Sequence, residues 1–179
     1  PMGVCAAPAP PNDAYARIEG ERCVLGNAAI RRTISLSGGT VRSVAIANEL
    51  AHREIPIEGA EFALTVNDKQ TVTAADFALH GKEVQDLDRG AKRLVLTLVH
   101  PKLGIEAQIR YTVAPGDPVL RKVVAVRAVG PTKPLLNRID VERFFCSDPC
   151  ELGGLGQPIF VGGSLFTGLE YPAAHNEAK

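Results

Sequence analysis

The chain of 179 residues has no tryptophan, one methionine, and only three tyrosines and six phenylalanines. So few aromatic rings count against a surface built to stack sugar rings, which needs exposed aromatic platforms. An excess of charge is also missing: 20 Lys and Arg balance 20 Asp and Glu, and the formal net charge is zero. A nucleic-acid partner normally shows itself as a basic excess or a basic run, so nucleic acid is set aside. No apolar run approaches the roughly 20 residues that a membrane-spanning helix needs, and no membrane is expected. A 3.6-residue hydrophobic period of useful length is absent throughout, which removes helical folds from consideration.

Seventeen glycines and thirteen prolines are present, and they punctuate short alternating runs. The clearest run is 105–113, where Ile105, Ala107, Ile109, Tyr111 and Val113 alternate with Glu106, Gln108, Arg110 and Thr112. Successive side chains of a strand point to opposite faces, so this pattern predicts one dry face and one wet face. Ala114-Pro115-Gly116-Asp117-Pro118 ends the run, since Pro cannot donate to a ladder and Gly relaxes the backbone. A second strand is predicted over about 119–129. A third has Ile139 and Val141 inward, with Arg138, Asp140 and Glu142 outward.

Upstream, residues 15–24 read as one strand, with a turn at Leu25-Gly26-Asn27. Residues 28–36 read as the next, with Ile30, Ile34 and Leu36 on one face. Ser37-Gly38-Gly39-Thr40 is a hairpin signal, and 41–48 returns. A connection containing Pro56 fills 49–60. Short strands follow at 61–66 and 70–73, then a weakly patterned stretch over 76–90 with one strand near 78–82. Leu94, Leu96 and Leu98 open a strong strand ending at His100-Pro101. Strands recurring every 8–12 residues predict an all-β, antiparallel two-sheet sandwich. The tail 153–172 is Gly-rich yet apolar and is expected to cover a sheet edge or the mouth of the sandwich.

Residues 1–14 stand apart: PMGVCAAPAPPNDA is small, Pro-rich and without pattern. They read as a leader or linker ahead of a domain at 15–179. Val4-Cys5-Ala6 has the small-residue character of a signal-peptidase site, which points to a secreted or periplasmic protein; an ordinary disordered leader reads equally well. Of the four cysteines, Cys146 and Cys150 bracket Ser147-Asp148-Pro149. They could close a small disulfide loop or stay as free thiols. The spacing matches no standard zinc pair, so neither metal nor cofactor is expected. Cys23 lies in a strand-like run and reads as a small core residue.

Five phrases occur in a telling order: LGNAAIRRTISLSGG (25–39), GAEFALTV (59–66), RYTVAPGDPVLRKVVAV (110–126), PLLNRIDVERF (134–144) and GQPIFVGGSLFTGLEYPAAHNE (156–177). Together they resemble the N-terminal β-sandwich that precedes the catalytic barrel in α-galactosidase-like and endo-α-N-acetylgalactosaminidase-like glycoside hydrolases. That sandwich belongs to the galactose-mutarotase-like supersandwich class. The resemblance implies a carbohydrate-active parent enzyme whose acid/base and nucleophile carboxylates lie on a C-terminal catalytic barrel missing from this sequence. On this reading the chain itself carries no catalytic residue. It also lacks the paired histidines and glutamate of mutarotases.

Among the residues, Glu170, Tyr171, His175 and Asn176 are the candidates for carbohydrate contact. Their polar groups suit sugar hydroxyls, and Tyr171 could stack on a ring face. Packing of Tyr171 and Phe166 on a sheet edge is the plainer alternative. Asp140 and Glu142 share a strand face, but a solvated face explains them better than a catalytic pair. Asp148 and Glu151 read as loop-capping residues. His52, His80, His100 and His175 are scattered, and His100 reads as a strand-end residue. Three rival roles remain: a stand-alone carbohydrate-binding module, a mutarotase-like sugar epimerase, and an interaction domain with a bare apolar patch over 152–172.

Overall fold

A computed structural model describes residues 12–131, 133–171 and 174–178. The fold is all-β and antiparallel, and among the described residues the only helices are three short 3-10 turns. The strands hydrogen-bond in four sheets, arranged in a propeller-like manner.

The first sheet is a five-stranded meander: β1 (Tyr15–Glu19), β2 (Arg22–Gly26), β3 (Ile30–Ser35), β4 (Arg42–Asn48) and β5 (Arg53–Pro56). The single strand expected over 15–24 is thus two. Gly20, at φ +60°, opens a two-residue hairpin that pairs Glu19 with Arg22, and Gly takes that left-handed conformation without steric cost. The 49–60 connection holds a strand as well. Pro56 is tolerated there because β5 is an edge strand pairing with β4 alone, so no neighbour asks for the missing N–H.

β6 (Ala63–Val66) and β7 (Gln70–Thr73) form a small sheet with β12 (Leu136–Asp140), giving the order β12-β6-β7. Between them in sequence lies a long meander of four nine-residue strands: β8 (Ala78–Asp86), β9 (Lys92–His100), β10 (Ile105–Val113) and β11 (Leu120–Ala128). β8 runs four residues beyond the strand expected near 78–82. The alternation at 105–113 is realised residue by residue: all five apolar positions are buried and all four polar ones only partly so. The C-terminal segment forms the fourth sheet: β13 (Cys150–Leu155), β14 (Ile159–Val161), β15 (Leu165–Thr167) and β16 (His175–Glu177), in the order β15-β14-β13-β16.

One large core unites three sheets. Cys23, Leu25 and Ile34 from the first meander meet Leu64, Val66 and Val72 from the small sheet, and Leu94, Leu96, Leu98, Ile109 and Tyr111 from the long one. Phe62 and Phe77 meet edge to face at 5.2 Å, and His100 stacks edgewise on Phe77 at 5.2 Å. A second, smaller cluster of Ile55, Ile57 and Val161 joins the edge of the first sheet to the C-terminal one. The described part of the 153–172 tail therefore does pack on a sheet edge, its strands belonging to a sheet of their own. Its anchor is an isolated bridge between Glu58 and Phe145. Gly59 permits that approach: at φ +150°, a Cβ there would stand 2.5 Å from the Arg143 carbonyl and 2.7 Å from Phe144 Cα.

Residues 1–11 of the expected leader lie outside the described residues. Asp13 and Ala14, assigned to the leader from sequence, engage the fold. The Asp13 carboxylate accepts from Ala28 N and Gly116 N, both at 2.9 Å, and Ala14 is buried.

Candidate functional site

The most charged place in the interior lies where the two apolar clusters meet. Arg32 on β3 is in phase with Ile30 and Ile34, so its side chain enters the apolar face. The pairing Leu25↔Arg32↔Ile46 puts it between the large core and the small one. A register shift on β4 after Thr33 brings Ser43 opposite Ile34. Lys122 on β11 is likewise in phase with Leu120, Val124 and Val126, and sits directly across from Tyr111. Glu61 lies just before β6 and Glu142 just after β12. Three sheets thus contribute to one polar cluster.

Its geometry is tightly complementary. Arg32 grips Glu142 in a two-pronged contact, Nη1 to Oε2 at 2.9 Å and Nη2 to Oε1 at 3.0 Å. Its Nε donates to Ser43 Oγ at 2.7 Å, and Nη2 also stands 3.6 Å from Glu61 Oε2. The Ser43 hydroxyl donates to Glu61 Oε1 at 2.5 Å, and the Tyr111 hydroxyl donates to Glu61 Oε2. Lys122 donates to the Glu61 carbonyl, to Glu61 Oε2 at 3.0 Å and to Glu142 Oε2 at 3.2 Å. Both cations also lie over the Tyr111 ring, Arg32 at 4.9 Å and Lys122 at 5.3 Å from its centroid. The Glu61 side chain is fully buried, and those of Arg32 and Lys122 nearly so.

The electrostatics follow from this. Burial alone would raise the Glu61 carboxyl, but Lys122 and Arg32, with the Ser43 and Tyr111 donors, bring it down to about 2. Burial opposes the Arg32 charge, and Glu142, Tyr111 and Glu61 more than restore it, so its pKa is raised. Burial pushes the Tyr111 hydroxyl well above 10; Arg32 pulls the other way, and Glu61 and Glu142 add to the rise. Two cations meet two anions, and each charged group is held by several partners. Such a cluster is poorly suited to proton transfer, because a carboxylate that stays ionised to about pH 2 is a feeble acid or base near neutrality. What the cluster can do is hold three sheets in one relative placement, since a buried charge tolerates few alternative partners.

Beside it lies a cleft of about 540 Å³, open solvent included, between the first sheet and the C-terminal one. Arg32 reaches its wall, and Ile46, Ile55, Phe144, Leu165 and Phe166 supply most of the rest. The cleft is therefore mainly apolar, with its one charge already committed to Glu142 and Glu61. On the C-terminal sheet Phe160 pairs directly across from Phe166, at 41% and 64% exposure. Phe145, Leu152, Leu155, Leu169 and Tyr171 are also exposed. The exposed large apolar side chains of this part of the chain thus come largely from 152–171. Four of the nine aromatic rings, Phe145, Phe160, Phe166 and Tyr171, face solvent.

The four residues singled out for sugar contact fall in or beside the C-terminal sheet. Glu170 is exposed and pairs with Arg121 at 3.2 Å. His175 is exposed on β16. Asn176 is occupied with backbone: its Nδ2 donates to Gln157 O at 2.8 Å, and its Oδ1 accepts from Leu169 N at 3.3 Å. Pro172 and Ala173, between Tyr171 and His175, lie outside the described residues. Cys146 and Cys150 are free thiols with their sulphurs 3.6 Å apart. Burial pushes the Cys150 thiol up, and the Cys146 contact adds to it.

Glu142 overturns the wet-face reading of 138–142, because it turns into the Arg32–Lys122 cluster while Asp140 pairs with Arg138 at 2.6 Å. Asp148 does more than cap its loop, since it meets Arg53 at 3.1 Å. The His100 ring caps the following turn, Nδ1 accepting from Lys102 N and Leu103 N at 3.3 and 3.2 Å. Sequence reasoning missed Arg32, Glu61 and Lys122 altogether. The available signal was a charge in phase with apolar neighbours, at Arg32 and Lys122. Among the described residues no group of three or more His, Cys, Asp or Glu could hold a metal ion, and no helix is long and apolar enough to cross a membrane. No protein-family model matches the chain, and no curated protein matches it.

Proposed function

We propose that this chain is a non-catalytic β-sandwich domain of a carbohydrate-active enzyme, α-galactosidase-like in class, that packs against a catalytic barrel and shapes its sugar pocket. The observation that carries the docking role is the exposed Phe160–Phe166 pair on the C-terminal sheet. Exposed apolar surface that lies together is a candidate interaction site. One further feature agrees with a silent domain. The only fully buried carboxylate among the described residues is neutralised by Lys122 and Arg32. The carbohydrate assignment rests on the five-phrase resemblance. The supersandwich architecture remains part of the proposal, supported by the core that the first and long meanders share.

The test is turnover by the isolated chain. Incubated with an aryl α-galactoside and with α-galactose, it releases no aglycone and leaves anomer exchange at the solvent rate. Turnover of either substrate overturns the reading. A second reading draws on the same exposed rings: a face that binds saccharide directly through Tyr171 and Phe166. Calorimetric titration with galactose oligosaccharides separates the two. Binding that disappears in both Tyr171→Ala and Phe166→Ala favours the binding face, and no binding favours docking.

A further inference from the structure

The loop from Cys146 to Cys150 clasps two sheets together. Asp148 meets Arg53 of β5 at 3.1 Å, Arg53 also donates to the Gly162 carbonyl, and Gly162 N donates to the Pro149 carbonyl at 2.8 Å. The clasp thereby ties the edge of the first sheet to the turn between β14 and β15. Cys146 packs on the Ile55–Ile57–Val161 cluster beneath it, and Cys150 opens β13 at the surface. Their sulphurs lie 3.6 Å apart, and both contact the Asp148 carbonyl, at 3.6 and 3.7 Å. Cys23, by contrast, is fully buried in the large core.

We propose that Cys146 and Cys150 are a reversible oxidation site, closing to a disulfide within the loop and locking the clasp between the first and C-terminal sheets. With a small disulfide as oxidant, the chemistry is two exchanges. The exposed Cys150 thiolate attacks one sulphur of glutathione disulfide, the S–S bond breaks, and one glutathione thiolate leaves. The Cys146 thiolate then attacks Cys150 Sγ in the mixed disulfide and expels the second glutathione. The protein gives up two electrons and two protons, and the oxidant takes them up as two glutathione molecules. Because the second thiol is already in contact, it outcompetes free glutathione as an intramolecular partner.

The tryptic fragment 144–179 holds both cysteines and no other, so one peptide reports the outcome. After equilibration of the full chain with glutathione disulfide, mass spectrometry is expected to find this peptide lighter by two hydrogen atoms. The closed form should exceed any glutathione adduct by about tenfold or more. Cys146→Ser and Cys150→Ser should each stop at a stable single adduct. Amide exchange over 159–167 should slow by about tenfold or more in the oxidised wild type. A peptide that accumulates adducts on both cysteines, or stays reduced while the oxidant is in excess, overturns the proposal. A closed loop with unchanged exchange over 159–167 overturns the locking role.

Discussion

Replacing Glu61 with glutamine removes one negative charge and leaves its volume almost unchanged, so it isolates the electrostatic part of the buried cluster. In the native protein Glu61 faces Lys122 at 3.0 Å and Arg32 at 3.6 Å, and accepts from Ser43 and Tyr111. In Glu61→Gln, Arg32 and Lys122 share Glu142 alone, and a net positive charge stays buried. Removing one partner of a buried ion pair costs about 3–5 kcal/mol. An independent route gives a similar figure: a carboxyl moved from 4.5 to about 2 corresponds to stabilisation on the order of 3 kcal/mol. For a chain of this length that is a fall in Tm of roughly 6–20 °C.

The folded-state pKa is depressed, so this stability is fully present above about pH 4.5 and is lost as pH falls towards 2. Glu61→Gln should therefore flatten the acid limb of the stability profile. The assay is urea unfolding of wild type and variant from pH 2 to 8, with Glu61→Gln/Lys122→Met as the balancing double variant. Restoring one cation to one anion should recover about 0.5–3 kcal/mol relative to additivity. A loss below about 1 kcal/mol, which is typical of an unremarkable substitution, refutes the reasoning, as does strict additivity in the double variant.

Other perturbations probe the same frame. Tyr111→Phe deletes the hydroxyl that donates to Glu61 and should cost about 1–3 kcal/mol by denaturant unfolding. The Tyr111 pKa is raised on folding, so wild-type stability should decline as pH rises past 10 towards the folded value; Tyr111→Phe should lose less there. Gly59→Ala places a Cβ 2.5 Å from the Arg143 carbonyl and should destabilise by about 2–4 kcal/mol, with amide exchange rising first around 58 and 145. Phe160→Ser and Phe166→Ser act on exposed rings and should shift stability by no more than about 1 kcal/mol. Light scattering should show that both reduce self-association of the isolated chain.

Where one face of a strand is dry and the other wet, the sequence is easy to read. Ile105 to Val113 shows this, and its alternation matches the observed burial at every position. The Gly20 turn is harder to read, because a single glycine between 15–19 and 22–26 does not by itself interrupt a strand-like stretch. β5 was obscured by Pro56, whose presence depends on its strand having a neighbour on one side only. The small sheet could not be read locally, since β12 pairs with β6 some seventy residues earlier, Asp140 against Ala63. Grouping into four hydrogen-bonded sheets depends on such distant pairings, which periodicity does not encode.

The buried cluster was hidden for a related reason. A charge on an apolar face looks like an interruption until its partner is found, and Arg32 and Glu142 are 110 residues apart. Glu142 alternates correctly for a wet face, yet it lies just past the end of β12, where the chain turns and alternation no longer governs direction. The sugar-contact candidates rest on polarity and, at Tyr171, on a ring that could stack, and Asn176 shows the weakness of polarity as a criterion: its amide is spent on neighbouring backbone.

The most direct test of the docking account is the sequence of the reading frame downstream of Lys179. The account predicts that the frame continues into a (β/α)8 barrel with paired carboxylates at its strand ends, the partner for the Phe160–Phe166 face. A stop codon immediately after Lys179 contradicts it.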